Sequence, residues 1–267
     1  MKKFTAPETW QVECLNNPAF SHLNDLFQLH QQPDWPSPQW LTAQVNRVSK
    51  QHYDTVFVAD HELDFGDKYY EEIIYQSHKV PTRSNNWHDL FGALIWCLFP
   101  KTKALLNALH IAEIEQFGLK QRSKKRNALT LFDECGMVLA IDDEKWRTEL
   151  QAHQWQSVFY DNRAAWFSRI QPFVFGHANY EMMTNPFIGL TAKLVCIVVP
   201  PEFNTLSLAQ QYQYLDEQLV AWINNGLLDD NSQLSPLPLL GIPTWHAEDQ
   251  DLTFYQNTDY FRPKRRK

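Results

Sequence analysis

Histidine and carboxylate side chains recur along this chain in a pattern that could build a metal site. His88 and Asp89 open a strongly apolar segment, His110 lies in the segment after it, and His177 lies much further along the chain. Histidine, aspartate and glutamate are the usual ligands of catalytic zinc and of other divalent metals. A metal held by them could turn water into hydroxide near neutral pH and polarise a phosphoryl or carbonyl oxygen. We therefore predict that His88, Asp89, His110 and His177 bind a divalent metal, zinc or manganese.

Further residues could take part in the reaction itself. Asp133 and Glu134 stand at a predicted turn, and either carboxylate could act as the general base. Arg83 could hold an anionic group of the substrate, so we predict Asp133, Glu134 and Arg83 as catalytic residues. The predicted substrate-binding side chains are polar or basic groups near these candidates in the sequence: Asn86, Asn107, Lys124 and Arg126.

The same residues admit structural interpretations. Asp89 can simply cap a helix, His110 can be a buried core histidine, and Asp133 and Glu134 can serve only the turn. The sequence contains no HExxH motif, no Cys/His pairs at zinc spacing, no Walker loop and no GxSxG nucleophile elbow. With only 8 glycines, a glycine-rich dinucleotide fingerprint is missing as well, and no nucleotide cofactor is expected.

Two predicted helices must position the first candidates. The apolar run from Trp87 to Phe99 predicts a buried helix, which Pro100 ends. A second helix, from Thr102 to Phe117, follows and carries Asn107 and His110 on one face. If the two helices form an antiparallel hairpin about Pro100, positions 88–89 lie opposite positions 110–112.

The rest of the chain predicts further helices and a small β element. Apolar arms at 128–133 and 137–141, joined by a turn at 134–136, predict a β-hairpin that follows a basic loop at 120–126. The other predicted elements are helices at 39–50, 69–77, 142–154, 163–170, 173–183 and 206–223 and a strand at 193–199. From Ser235 onward, several prolines predict an irregular segment. We predict a mainly α (α+β) fold: one compact helical domain over 1–261, with a disordered basic tail at 262–267.

Composition excludes several classes of protein. The 267 residues are 44% hydrophobic, which excludes a disordered chain, and no apolar run reaches the ~18 residues of a membrane span. The four cysteines lie far apart without a CxxC pair. They predict reduced thiols and a cytoplasmic protein. The missing apolar span predicts that the protein has no contact to a membrane.

The net charge of −7 is unevenly distributed along the chain. Two stretches without acidic residues, 120–126 and 262–267, each contain five basic residues. The rest of the chain carries 14 basic against 31 acidic residues. An acidic body with two basic stretches leaves an anionic small molecule or a nucleic acid open as a partner.

Several segments resemble a bacterial family known only as domain of unknown function family 3025. The segments that carry the resemblance are PTRSNNWHDLF (81–91), FPKTK (99–103), LNALH (106–110), LTLFDE (129–134), FGHA (175–178), PLPLLGIP (236–243) and, at 254–263, FY and FRP. The resemblance implies a single domain in a cytoplasmic bacterial protein, without an established activity. Asn127 stands where the resemblance leads us to expect an aspartate, and Thr244 where we expect a glycine.

Three functions are compatible with these observations. The first is a metal-dependent hydrolase that acts on an anionic substrate, either phosphorylated or similar to a nucleic acid. The second is a non-catalytic nucleic-acid or ribosome-associated binding protein that uses the two basic stretches. The third is a scaffold protein whose polar cluster only orders its core. The oligomeric state stays open.

Overall fold

The structure is a computed structural model that describes residues 4–246 and 248–264. Its α-helices are Ser21–Phe27 (α1), Pro38–Ser49 (α2), Tyr70–Ser77 (α3), Trp87–Leu98 (α4), Pro100–Phe117 (α5), Lys124–Cys135 (α6), Glu144–Gln151 (α7), His177–Met183 (α8), Leu208–Asn224 (α9) and Leu252–Tyr255 (α10). Its strands are Val56–Ala59 (β1), Lys79–Thr82 (β2), Gly136–Ile141 (β3), Ile170–Val174 (β4), Thr191–Val198 (β5) and Ser235–Pro238 (β6). Helices outweigh strands, as predicted, in a mixed α+β fold.

Local capping signals define the two central helices. The Asn86 side chain accepts a hydrogen bond from the backbone N–H of Asp89 (3.0 Å) and so caps α4. Pro100 is the first residue of α5, where its missing N–H costs nothing. Gly118 ends α5 with a φ of 75°, a left-handed conformation that favours glycine. These boundaries agree with the prediction to within two residues.

Besides the helices, the core contains a four-stranded sheet with the strand order β4-β3-β5-β6. The central strand β3 runs antiparallel to β4 and parallel to β5, with Met137 opposite Val174 and Gly136 opposite Lys193. All six residues of β3 are buried, which is expected of a strand covered on both faces. A separate parallel pair, β1 and β2, sets Ala59 opposite Thr82.

One cluster of buried hydrophobic side chains connects the helices with the four-stranded sheet. Its aromatic centre lies where α4, α8 and α9 meet. Phe91 stacks on Tyr180 (5.4 Å between ring centroids), and Tyr212 meets Phe99 and Phe173 edge to face. These bulky contacts hold α4 and α8 side by side, because a packed aromatic core resists displacement.

The predicted β-hairpin at 128–141 is wrong in its first arm. Residues 124–135 form α6, because Ser123 caps its first turn (Arg126 N to Ser123 Oγ, 2.9 Å) and because Ala128, Leu129 and Phe132 recur at helical spacing and are buried. The predicted basic loop at 120–126 is therefore partly helical. The second arm is a strand, but it pairs with β4 and β5 instead.

Two other segments also differ from the prediction. The helix predicted at 163–170 is a 3-10 turn at Arg163–Ala165, and residues 170–174 form β4, where Pro172 lies opposite Leu139. In the proline-rich segment, Ser235–Pro238 forms the edge strand β6. An edge strand tolerates proline because one of its sides needs no ladder hydrogen bonds. The local apolar pattern did not show either strand.

The backbone at Thr244 shows why the resemblance leads us to expect a glycine there. Its φ is 71°, a conformation in which glycine is unstrained and a β-branched residue is not. The backbone N–H of Thr244 donates to the Gln250 side chain (2.8 Å), which holds the turn. A glycine is thus the residue that this backbone favours.

The predicted tail begins inside the described region and ends outside it. The carbonyl oxygen of Arg262 accepts hydrogen bonds from the rings of Trp155 (2.8 Å) and His153 (2.9 Å). Residues 265–267 lie outside the described residues. Among the helices described, none is long and apolar enough to cross a membrane.

The start of α5 depends on a buried carboxyl group from α9. Asp216, 2% exposed, accepts the backbone N–H groups of Lys101 (3.0 Å) and Thr102 (2.8 Å). Burial raises the pKa of Asp216 to about 6, so the group is ionised at pH 7. This carboxylate supplies the cap that Phe99, the residue before the helix, does not.

We predict that Asp216→Ala lowers the free energy of unfolding by about 2–3 kcal/mol at pH 7, since two N–H groups lose their acceptor. Urea denaturation measures the change. Glu217→Ala, which removes an exposed ion pair with Lys101 (2.8 Å), is the matched control and costs under about 1 kcal/mol. Equal losses in the two variants would contradict the capping role.

Candidate metal centre

A pocket of about 380 Å³ lies among the two central helices and their neighbours. Its walls come from one face of α4, from α5, from the second half of α6 and from the first residue of α8. The start of α3, the strand β2 and the turn after β1 complete it. Residues far apart in the sequence therefore meet around one cavity.

His88, Glu134 and His177 come together at one side of this pocket. Their ligand atoms all lie within 4.8 Å of one another. Glu134 Oε2 is 3.3 Å from His88 Nε2 and 3.4 Å from His177 Nε2, and the two imidazole rings meet edge to face at 4.3 Å. Three donor atoms from three different helices can thus converge on one metal ion.

Two glycines set the distance between Glu134 and His177. Gly136 follows α6 and Gly176 precedes α8, and the Gly176 N–H donates to the Gly136 carbonyl at 2.7 Å. A Cβ on Gly176 would lie 2.4 Å from the carbonyl oxygen of Glu134 and 2.4 Å from the nitrogen of Gly136. The constraint is steric, since Gly176 has an ordinary φ of −72°. Only a residue without a side chain lets the two segments approach so closely.

A carboxylate and a guanidinium hold His88 in place. Asp89 Oδ1 lies 3.3 Å from His88 Nδ1. Arg83 binds Asp89 through Nη2 (2.7 Å), Nε (3.0 Å) and its backbone N–H (2.8 Å). A hydrogen bond at Nδ1 leaves Nε2 as the nitrogen that faces Glu134, an arrangement typical of metal-bound histidine.

The two histidines differ in their electrostatic surroundings. Hydrogen bonds to Asp89 and Glu134 raise the pKa of His88 to about 9. Burial lowers the pKa of His177 to about 4, so that its ring is neutral. Burial alone would raise the pKa of Glu134, but the neighbouring His88 and His177 hold it below its usual value. Without a metal, a protonated His88 is the positive partner of Asp89 and Glu134. A metal cation bound beside Glu134 could replace the proton on His88 Nε2.

Asp133 and His110 line the same pocket but lie outside this ligand group. Asp133 Oδ1 pairs with Lys103 Nζ at 2.5 Å. Burial alone would raise the pKa of Asp133, but the Lys103 ammonium holds it below its usual value. Burial lowers the pKa of His110. Of the four predicted metal ligands, the structure brings His88 and His177 into the group, with Glu134 as the carboxylate.

The four predicted substrate-binding side chains are not among the residues that line the pocket. Asn86 caps α4, and Asn107 donates to the carbonyl oxygen of Glu71 (2.9 Å). Arg126 is buried and donates to the carbonyl oxygen of Leu119 (3.0 Å). Lys124 begins the helix that ends beside Glu134, and a rise of 1.5 Å per residue places the two about 15 Å apart along its axis. The arrangement follows from α6 being a helix and not a loop.

Sequence reasoning placed Glu134 in the reaction but not among the ligands, and it did not identify Lys103 or the glycines. A signal was present in the sequence. Gly136 comes two residues after Glu134, and Gly176 comes directly before His177. Glycine beside a candidate ligand is a sign of close backbone approach. Nothing in the local pattern showed that these two glycines touch each other.

We predict that Gly176→Ala destabilises the fold by about 3 kcal/mol, because its methyl group would overlap backbone atoms that no rotamer change can move. The same change should separate Glu134 from His177 and abolish any rise in melting temperature on addition of zinc. Gly92→Ala is the matched control, since its Cβ would meet the His177 ring at an ordinary 3.9 Å. Its stability should change by at most about 1 kcal/mol. A Gly176 variant that retains wild-type stability would contradict the steric constraint.

Comparisons with known proteins agree with the resemblance. A family model described as "Protein of unknown function (DUF3025)" matches residues 55–265. The search of curated proteins found no match. The search of solved structures found none either. The matched region includes every residue of the ligand group and the pocket walls around it. The chain belongs to the DUF3025 family, a family of unknown function.

Proposed function

We propose that His88, Glu134 and His177 bind a divalent metal, and that the pocket is the active site of a metal-dependent hydrolase. The observation that carries this proposal is the convergence of two imidazoles and one carboxylate within 4.8 Å beside a 380 Å³ cavity. Catalytic zinc is commonly held by two histidines and a glutamate, with a further position left for water or substrate. A closed structural zinc site would have four protein ligands.

The surroundings of His88 support the same interpretation. Metal-binding histidines commonly donate their second ring N–H to a carboxylate, which fixes the tautomer and makes the ring a better ligand. Asp89 occupies this place, and Arg83 fixes Asp89 through both its guanidinium and its backbone. The Arg83–Asp89 pair then has a positioning role. Arg83 Nη1 makes no hydrogen bond within the described residues, so it is available to a substrate.

The residues divide the work of hydrolysis between them. A divalent metal held by His88, Glu134 and His177 would lower the pKa of a bound water molecule and polarise the phosphoryl or carbonyl oxygen of the substrate. Asp133 lines the same pocket and is the carboxylate assigned to accept the proton of the attacking water, since Glu134 is a ligand. Its Oδ1 pairs with Lys103 Nζ, so its Oδ2, which makes no hydrogen bond within the described residues, takes that proton. The water oxygen would form its bond to the phosphoryl or carbonyl centre as the bond to the leaving group breaks, and the proton that Asp133 accepts from the water would pass to the leaving group. Lys103 keeps Asp133 ionised for this role.

The basic stretch at 120–126 offers less support for a nucleic-acid-binding function. Its cations are partly engaged within the fold: Arg122 donates to Thr130 (2.5 Å), and Lys125 pairs with Asp229 (3.2 Å). Arg126 is buried. A nucleic-acid surface needs cations that are free to reach phosphates, so the pocket is the better-supported site.

Metal binding is the first prediction of this proposal. Protein without a histidine tag, treated with EDTA and then reloaded with zinc or manganese, should hold one metal per chain by elemental analysis. At a free metal concentration 100 times the Kd, binding stabilises the fold by about 2.7 kcal/mol, which a thermal melt detects. Glu134→Gln and His177→Gln should abolish both effects.

His110→Gln is the control for these variants, because His110 lines the pocket outside the ligand group. It should keep the metal and the thermal shift. Loss of metal in His110→Gln but not in His177→Gln would show that a different set of ligands operates. No stoichiometric metal in the wild-type protein would refute the proposal.

Hydrolysis is the second prediction. The metal-loaded protein should release nitrophenol from at least one of a panel of nitrophenyl phosphomonoesters, phosphodiesters and carboxylic esters. Asp133→Asn should lower kcat by about 10²–10⁴-fold, the usual contribution of a general base, and leave metal content unchanged. Two imidazoles and a carboxylate also bind non-haem iron. A protein that binds only iron and hydrolyses none of these reporters would contradict the hydrolase.

A further inference from the structure

One part of the pocket wall has the chemistry of a cation site. We infer that Asp60, Phe65, Tyr70 and Glu71, here called the acidic-aromatic wall, bind an ammonium group on the substrate. This inference rests on the proposed function for its claim that the bound molecule is a substrate. It specifies the substrate class as a small, amine-bearing molecule, in place of the anion that the sequence predicted.

The charges around the cavity favour a cation. Five carboxyl groups line the pocket against two side chains of permanent positive charge, Arg83 and Lys103. Each of these two cations already pairs with a carboxylate, Asp89 or Asp133. If a metal dication occupied the ligand group, the five carboxylates would still outnumber the positive charges of the metal, Arg83 and Lys103 by one. This negative potential would repel an anionic substrate and attract an ammonium group.

Lys103 shows how this pocket accommodates an ammonium group. Its Nζ lies 2.5 Å from Asp133 Oδ1 and 5.5 Å from the centre of the Trp96 ring. The Lys103 side chain is only 8% exposed. A carboxylate and an aromatic ring together thus hold a largely buried cation, through ion pairing and a cation–π contact.

The acidic-aromatic wall repeats this combination without a cation of its own. The Glu71 side chain makes no hydrogen bond or ion pair within the described residues, although its backbone carbonyl accepts from Asn107. Neither Phe65 nor Tyr70 stacks on another aromatic ring of the described chain. Asp60 Oδ1 accepts the backbone N–H of the neighbouring His61 (2.9 Å) and lies 3.8 Å from Nδ1 of its ring, whereas Oδ2 makes no hydrogen bond within the described residues. Two carboxylates and two ring faces are therefore available to a ligand.

The wall is also placed to serve the metal centre. Ala59 lies opposite Thr82 in the β1–β2 pair, so Asp60 follows β1 at the edge where Arg83 follows β2. Tyr70 and Glu71 begin α3, which packs against β2 and α5. A molecule with an amine at one end and a hydrolysable bond at the other could reach both parts of the cavity.

Three ligands of matched size and different charge test the inference: benzylammonium, benzyl alcohol and benzoate. Binding to the full-length wild-type protein is measured by saturation-transfer NMR and calorimetry, with the protein metal-free in EDTA and again with zinc. We expect benzylammonium to bind about tenfold more tightly than the other two in the metal-free protein. Its affinity should fall as salt is raised.

Two conservative variants locate the site. Glu71→Gln and Asp60→Asn should each weaken benzylammonium binding severalfold and leave benzyl alcohol binding unchanged. Glu62→Gln is the matched control, because Glu62 lies in the same turn as Asp60 but does not line the pocket. It should bind benzylammonium as the wild type does. Equal losses in all three variants would refute the assignment to the wall.

The outcomes separate this inference from the metal proposal. Benzylammonium binding in a protein that takes up no metal would support the cation site and refute the proposed function. Stoichiometric metal together with tighter binding of benzoate in the metal-free protein would refute the cation site and leave the proposed function intact. Binding of the three probes with equal affinity would also refute it.

Discussion

The close approach of Gly136 and Gly176 is the contact on which the rest of the site depends. It lies where α6 gives way to the central strand and where β4 leads into α8, and a 2.7 Å backbone hydrogen bond closes it. Because neither residue has a side chain, the end of one helix and the start of another meet almost backbone to backbone. This contact carries Glu134 and His177 to the same place, while the aromatic core holds α4 against α8 and adds His88.

The charges of the pocket form a connected series, not a set of separate ion pairs. Arg83 holds Asp89, Asp89 holds His88, and His88 contacts Glu134. Partly buried charges are tolerated only when each has a partner, and here each partner also fixes the orientation of the next group. Such preorganisation is what a metal centre requires, since ligands must be held in place before the ion arrives. It also explains why Arg83, which the sequence suggested as a substrate contact, is largely committed to the protein itself.

Much of the local structure was predictable because its signals are local. Asn86 caps a helix, Pro100 starts one and Gly118 ends one, whatever the rest of the fold does. The segment 128–133 misled the prediction because a short apolar run fits a strand as well as a helix, and only burial of one face decides between them. This error also affected the predicted substrate-binding residues. A loop at 120–126 could have brought Lys124 to the pocket, whereas the helix places it at the far end from Glu134.

The sequence by itself determined the helical character of the chain, the family to which it belongs and the residue types that could bind a metal, with His88 and His177 among them. Tertiary structure alone decided that Glu134 joins them, that His110 and Asp133 stay outside the ligand group, and that the cavity is rich in carboxylates. The physical reason is the distance along the chain over which each kind of interaction acts. Capping and periodicity act over a few neighbouring residues, whereas a ligand set depends on contacts between segments that are far apart in the chain.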